Sequence, residues 1–369
     1  MTVHAANLHD LNYRDEAAAF GTPYTPITDI HTHLRGKAAV RVYADVAECY
    51  GIDHVVSMTP FDQLDTVRDI LGDRVQFIAV PDWRAEDPQH AHGTGFDERI
   101  RQFAAAGAPL CKFWAAPRAL DYGRDMGDEA FLRLDGPNRT RQIELAASLG
   151  MGIMTHIADP DTWFQTTYSD TDRYDTKARQ YDQLEVMLEA VPVPWLAAHM
   201  GGSPEDLDHL DVLLERYPHL YLDTSATKWM VRELSRQDTE RLTGFLRRWT
   251  GRICFGSDIV TQDEHMQVDD TTDTQTTTWS TKAASPTQAF DLYASRYWAL
   301  RTLWERDWTG LSPIADPDLH MLDESVSELA SPTLKGHALP ADVLQSLYAG
   351  AAACLLHHVQ CASATNDSK

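Results

Sequence analysis

The chain has 369 residues, 43% of them hydrophobic, and a formal charge of -23. That length and apolar content suit a single large domain with long loops, or two small domains, with a sizeable core. The acidity argues against nucleic-acid backbones and anionic membranes as partners, while leaving the sign of any one pocket open.

In chain order, Met1–Glu16 is polar and lacks the apolar run of a signal peptide, so residues 1–26 read as an N-terminal arm ahead of a unit spanning 27–369. Short apolar, β-branched runs then predict eight strands: Ile27–Ile30, His54–Met58, Val75–Val80, Leu110–Trp114, Gly152–Thr155, Trp195–Ala198, Leu220–Asp223 and Arg252–Phe255. Stretches with apolar residues three or four apart separate them: Ala38–Tyr50, Gln63–Leu71, Phe96–Ala106, Arg139–Leu149, Thr176–Ala190, Pro204–Arg216 and Lys228–Trp249, with another around Thr287–Trp304. Gly51, Gly72, Gly107 and Gly150 each close a helix just before a strand. Strict alternation predicts parallel strands with helical crossovers. Eight repeats favour an α/β fold closed into a (β/α)8 TIM barrel over an open doubly wound sheet.

Such a barrel needs about 250 residues, so insertions are expected. Thr261–Pro286, after strand eight, is rich in Thr, Asp and Gln and reads as a lid or flap. Leu311–Leu339 is rich in Pro, Asp and Ser, and Pro340–His358 is an extra C-terminal helix expected to pack across the barrel. Cys49, Cys111, Cys254, Cys354 and Cys361 stand singly with no CxxC pair, as in a reducing compartment, so a cytoplasmic location is expected. No apolar run approaches a membrane span.

Functional groups of such barrels sit at the C-terminal ends of strands. Strand one ends Asp29-Ile30-His31-Thr32-His33, and histidines at i and i+2 of an extended chain share a face. Strand five ends in His156, strand six in His199 and strand eight in Ser257-Asp258. Any one of these could be a loop cap; together they predict a metal site at the barrel mouth.

The strings DIHTHL (Asp29–Leu34), AHMGG (Ala198–Gly202) and FGSD (Phe255–Asp258) resemble the amidohydrolase superfamily, in particular its amidohydrolase-related branch. That branch includes aminocarboxymuconate semialdehyde decarboxylase and lactonase relatives. The closing helix Leu339–Leu356 is similar to that branch too, so the resemblance runs from Ile27 to Leu356. It implies that His31, His33, His156 and Asp258 bind a divalent metal. It also implies that His199 either polarises the reacting carbonyl or joins a second metal. The physical logic agrees. Three imidazoles and one carboxylate leave a site of net positive charge that acidifies water, Asp258 can take the water's proton, and His199 can stabilise developing negative charge. Zinc is the expected ion, although such donors accept several metals.

Lys112, in the fourth strand, resembles a lysine that is carbamylated and bridges two metals in binuclear relatives. The favoured reading is one ion, with the Lys112 ammonium paired to a carboxylate or to substrate; two ions follow if it is carbamylated. Candidate substrate contacts are Arg118 and Arg124 after strand four, Trp163, Phe164 and Tyr168 after His156, and Lys228, Trp229 and Arg232 after strand seven. Trp83, after strand three, is a further candidate wall of the pocket. His90, His92, His357 and His358 read as surface residues. The expected activity is hydrolysis of an amide, lactone or related carbonyl bond of a small molecule. The alternative is non-oxidative decarboxylation or hydration of a small carboxylic acid, and a non-catalytic binding protein is disfavoured because every ligand position is intact. Barrels of this kind often pair, so a homodimer is one assembly open to the chain, and the sequence does not fix the oligomeric state.

Overall fold

The structure, a computed structural model, describes residues 4–267 and 283–366, with side chains to Ser363. The expected loop Thr261–Pro286 therefore lies partly outside the described residues. Nine strands are described in the main sheet: β1 (Ile27–His33), β2 (Ile52–Ser57), β3 (Val75–Ala79), β4 (Leu110–Trp114), β5 (Gly152–His156), β6 (Trp195–Ala197), β7 (Leu220–Asp223), β8 (Ile253–Cys254) and β9 (Ile259–Val260). They are parallel neighbours in the order β8-β7-β6-β5-β4-β3-β2-β1-β9.

The two short pieces β8 and β9 share the eighth barrel position, and that position closes the ring. β8 pairs with β7, and β9 pairs with β1. Between them the Ile30 amide donates to Phe255 O at 3.0 Å, and the Asp258 amide donates to His31 O at 2.9 Å. The strands are buried along almost their whole length, as in a sheet covered on both faces. β1 runs three residues past its predicted end, so His31 and His33 lie within the strand and share its face.

The crossover helices follow the expected order with one correction. Lys228–Trp249 is two helices, Thr227–Leu234 and Thr239–Arg248. Asp238 restarts the second by accepting the Arg241 amide at 3.0 Å. The closing helix passes through a wider turn at Ser346–Gly350 before Ala351–Asn366. It lies under the strand starts. The Gly251 amide, just ahead of β8, donates to Ser346 Oγ at 2.8 Å, and a Cβ at Gly152, the first residue of β5, would come within 2.8 Å of Val359. One end of the barrel is thereby plugged, and the site is left to the other.

Three additions go beyond the minimal barrel. The arm is part of the core: Tyr13 and Ala17 of helix Tyr13–Phe20 are buried, and Tyr50 Oη donates to Tyr13 O. Helix Pro286–Glu305 is buried on nearly every side from Ala289 to Trp304. The Pro/Asp/Ser-rich stretch contains a small antiparallel pair, Thr309–Leu311 with Thr333–Lys335. The start of the post-β9 loop belongs to the framework rather than to a lid. Asp263 Oδ1 accepts the Ala38 and Ala39 amides, both at 2.9 Å, and so caps helix Lys37–Tyr50, whose own preceding residue is Gly36.

Candidate metal centre

The strand C-termini open onto a cavity of about 1090 Å³. His31 Nε2 and His33 Nε2 lie 3.4 and 3.2 Å from Asp258 Oδ1. Donors bound about 2.1 Å from one tetrahedral ion stand about 3.4 Å apart, so this trio fits a divalent cation such as zinc. Asp258 reaches its place through a left-handed backbone, φ 61°. His199 and Ala226, at the ends of β6 and β7, are left-handed too. Such strain in residues other than glycine persists where surrounding structure enforces it, and here it gathers at three adjacent strand ends around one site. Two glycines of the motifs have steric reasons. A Cβ on Gly202 would lie 2.1 Å from Ala158 O, and one on Gly256 would press on His31 and Ser225 at 3.1 Å.

Asp223, the last residue of β7, organises the histidines. It is fully buried; its Oδ2 takes His31 Nδ1 at 2.9 Å, and its Oδ1 takes the His199 and Ser225 amides. Ser225 Oγ also donates to Asp223 Oδ1, which spends its proton, and it lies 2.7 Å from His199 Nδ1. Ser225 Oγ is also 2.9 Å from His31 Nδ1, and directing its single proton to the carboxylate gives the tautomer in which His199 Nδ1 donates to Ser225 and His31 Nδ1 to Asp223. Both rings are left with a bare Nε2. For His31 that nitrogen faces Asp258, and His199 borders the cavity.

The electrostatics suit cation binding. Burial lowers His33 against the pull of Asp258, and burial together with His156 holds His199 well below its usual value, so both are neutral imidazoles. Burial works to lower His31, but Asp223 and its hydrogen bonds outweigh it and raise the group. Burial by itself would raise Asp258 and Asp223, yet their histidine partners keep both carboxyls ionised. Asp29, buried beneath, is pushed up to about 6 by burial despite accepting the His31 and Ser257 amides and the Tyr297 hydroxyl.

The other expected site residues divide. His156 is beside the trio rather than in it. Its ring is 4.5 Å from that of His199, and its Nε2 is 2.6 Å from the buried Asp159. Lys112 is 7% exposed on the cavity wall, and burial lowers it to about 8. The expected carboxylate contact is not made: among the described residues it has no ion-pair or hydrogen-bond partner. Trp163, Lys228 and Trp229 line the cavity, and both indole N–H groups donate to Asp318 Oδ2, at 3.0 and 2.9 Å. Arg232 is off the lining. Its buried guanidinium is tied to Asp316, Asp318 and Glu233, so it holds the aspartate that orients the tryptophans. Arg118 is solvent-exposed and off the lining, and Arg124 pairs with Asp121 and Glu129. His92, expected at the surface, is buried edge-on to Trp83 with ring centroids 4.4 Å apart, and His358 bonds the Tyr221 hydroxyl.

Asp223, Ser225 and Arg296 are functional candidates beyond the sequence reading. Asp223 closes the run Leu220-Tyr221-Leu222 and so carried the same strand-end signal as His156. Arg296 carried a different one, being one of two arginines, with Arg301, amid Tyr, Trp, Ala and Leu on a helix with almost no polar face.

No family model and no curated protein matches the chain. Solved structures do. An uncharacterised TIM-barrel protein from Bordetella bronchiseptica has 9% identity and a TM-score of 0.46, over 90% of this chain and 100% of the other. An amidohydrolase from Burkholderia multivorans, solved with bound zinc, has 14% identity and a TM-score of 0.43, over 90% and 99%. A 2,6-dihydroxybenzoate decarboxylase complexed with 2,6-dihydroxybenzoate has 12% identity and a TM-score of 0.41, over 80% and 96%. Among the described residues no helix is long and apolar enough to cross a membrane.

Proposed function

We propose that this chain is a metal-dependent hydrolase of the amidohydrolase superfamily, cleaving an amide, lactone or related carbonyl bond of a small molecule. The observation that carries this is the meeting of His31 Nε2, His33 Nε2 and Asp258 Oδ1 at the floor of a large cavity. These three would hold the cation, zinc by preference for an N/O set, with His156 and His199 at hand to complete it. A bound divalent ion supplies Lewis acidity, which polarises a carbonyl and acidifies water. Asp258, kept ionised, orients the attacking water and receives its proton. His199 is assigned a role different from the one first expected. With Nδ1–H committed to Ser225, its Nε2 accepts a proton rather than donating to an oxyanion. Lys112 takes over the stabilisation of developing negative charge, since its buried ammonium feels both Asp223 and Asp258 and bonds neither.

A second reading, non-oxidative decarboxylation, draws on the cations facing the cavity, which suit a carboxylate substrate. The metal-replete protein should release acid from lactones or amides without evolving carbon dioxide. Carbon dioxide from aromatic or unsaturated acids, with no hydrolysis of any ester, lactone or amide, would replace the first reading by the second. His31→Ala should lose bound metal by elemental analysis and turnover with it. Full metal content and activity in that variant would remove the metal centre from the proposal.

A further inference from the structure

Positive charge collects on one side of the cavity without partners. Helix Thr227–Leu234 begins there, and Ala226, Thr227, Lys228 and Trp229 all border the space. Ala226 has no side-chain acceptor to cap the helix, its first turn holds no acidic residue, and the Thr227 and Lys228 amides find no acceptor among the described residues. Lys228 is half-buried and has no hydrogen bond or ion pair among them. Arg296 reaches the same cavity from helix Pro286–Glu305. It is 9% exposed, and its guanidinium bonds its neighbour Ser295 Oγ at 2.9 Å and no carboxylate among the described residues. Arg296 lies close enough for its charge to act on Lys228, and Arg296 itself feels Asp258.

The nearby carboxylates are already answered. Asp316 and Asp318 are bound by Arg232, Asp318 also receives both indole N–H groups, and Glu233 is held between Arg232 and Arg236. A buried cation without a counter-ion destabilises the fold. The buried Arg296 and the half-buried Lys228, neither paired to a carboxylate among the described residues, beside an uncapped helix start make a place for an anion.

We infer that Lys228, Arg296 and the first-turn amides of helix Thr227–Leu234 form a carboxylate-binding subsite, which anchors an organic anion by a carboxylate remote from its reacting carbonyl. This rests on the cavity being the substrate pocket of the hydrolase proposed above. An Arg guanidinium binds a carboxylate through two parallel hydrogen bonds, Lys228 adds a point charge, and the amides complete the cradle. Trp229, between Lys228 and His199, gives the anchored molecule a flat apolar wall; its ring is 5.6 Å from that of His199.

Calorimetric binding of phthalate, with its uncharged diamide as control, tests this on the metal-loaded protein. Phthalate should bind and the diamide should not. Lys228→Met and Arg296→Met should each weaken phthalate by roughly 10- to 100-fold, the range of a charge-assisted hydrogen bond. Arg296→Lys should restore part of the loss. Thermal midpoints of the two methionine variants should equal or exceed that of the parent, because an unpaired buried charge is removed; a purely structural role would lower them. Undiminished phthalate binding in the double variant overturns the subsite, and so does binding that survives in that variant until the metal is chelated. Inorganic phosphate binding more tightly than phthalate, and lost in the same variants, overturns the carboxylate assignment in favour of a phosphate ester. Because these readouts need no turnover, failure of the hydrolase reading on substrate panels leaves a distinct signature, namely intact binding without hydrolysis.

Discussion

Asp223 borders no open space in the cavity lining, yet it decides which nitrogen of His31 is left bare for a cation. A carboxylate behind a metal-binding imidazole fixes its tautomer and raises its basicity, and loss of such a partner commonly costs 10- to 100-fold in metal affinity. Asp223→Asn should therefore keep the fold, since the amide oxygen can still accept the His199 and Ser225 amides, while metal affinity falls by about that factor. Competition with a chelator measures it, and unchanged affinity would show that His31 needs no such partner. At this scale the sequence revealed side chains that end an apolar run and have a neighbour to confirm them. His31 and His33 confirm each other, and Asp258 closes the run beside them. Asp223 ended a run just as clearly, but its partner lies 192 residues away, which only closure of the ring brings near. The turn of His156 toward Asp159, three residues on, depends on a rotamer that no spacing encodes.

Whole elements were more legible than their boundaries. The strand–helix alternation followed from apolar periods alone, because parallel strands buried on both faces leave continuous runs. The break at 235–238 was hidden by apolar residues that continue in register, although Asp238 ahead of Thr239 and Glu240 was a cap signal. Helix Pro286–Glu305 shows what a period cannot reveal. It has little polar face, and its buried Arg301 is bound by Glu305 through two contacts, at 2.6 and 2.9 Å. Gly21 O and Tyr50 O accept further bonds from Arg301, and the Tyr348 hydroxyl donates to Glu305 at 2.7 Å. One ion pair thus joins the arm, the first crossover helix and the closing turn. Glu305→Ala should cost about 3–5 kcal/mol, the usual effect of stranding a buried guanidinium. Arg301→Met combined with Glu305→Leu should cost less than that single change, because neither charge is left alone. Denaturant titration of the three proteins checks the order; a double variant weaker than Glu305→Ala would mean that the pair acts through packing.

Across the molecule, an acidic surface encloses a cavity whose wall carries Lys112, Lys228 and Arg296, so net charge gave no guide to the pocket. Burial also shapes how the whole fold meets acid. It depresses His92, His209, His219 and His337, and lowers His92 to about 4. Each of these binds a proton more readily when unfolded, so each withdraws stability as pH falls below the ordinary histidine value. Asp29 acts in the opposite sense. Raised to about 6, it makes the folded state the better proton acceptor and offsets part of the loss between about pH 6 and 4. His92 offers a clean test, because its Nδ1 is buried without a partner and its ring rests on Trp83. His92→Phe keeps the ring contact and forfeits no bond at that nitrogen. At pH 7 both proteins hold an uncharged ring there, and their unfolding free energies should agree within about 1 kcal/mol, the range of a volume-conserving change. At pH 4.5 an unfolded His92 is charged while the folded one is largely neutral. The linkage of about 1.4 kcal/mol per pKa unit then favours the phenylalanine variant by about 2–3 kcal/mol. Urea unfolding at the two pH values reads the difference directly. A gap that fails to widen on acidification would mean that the imidazole finds a way to stay charged inside the folded protein.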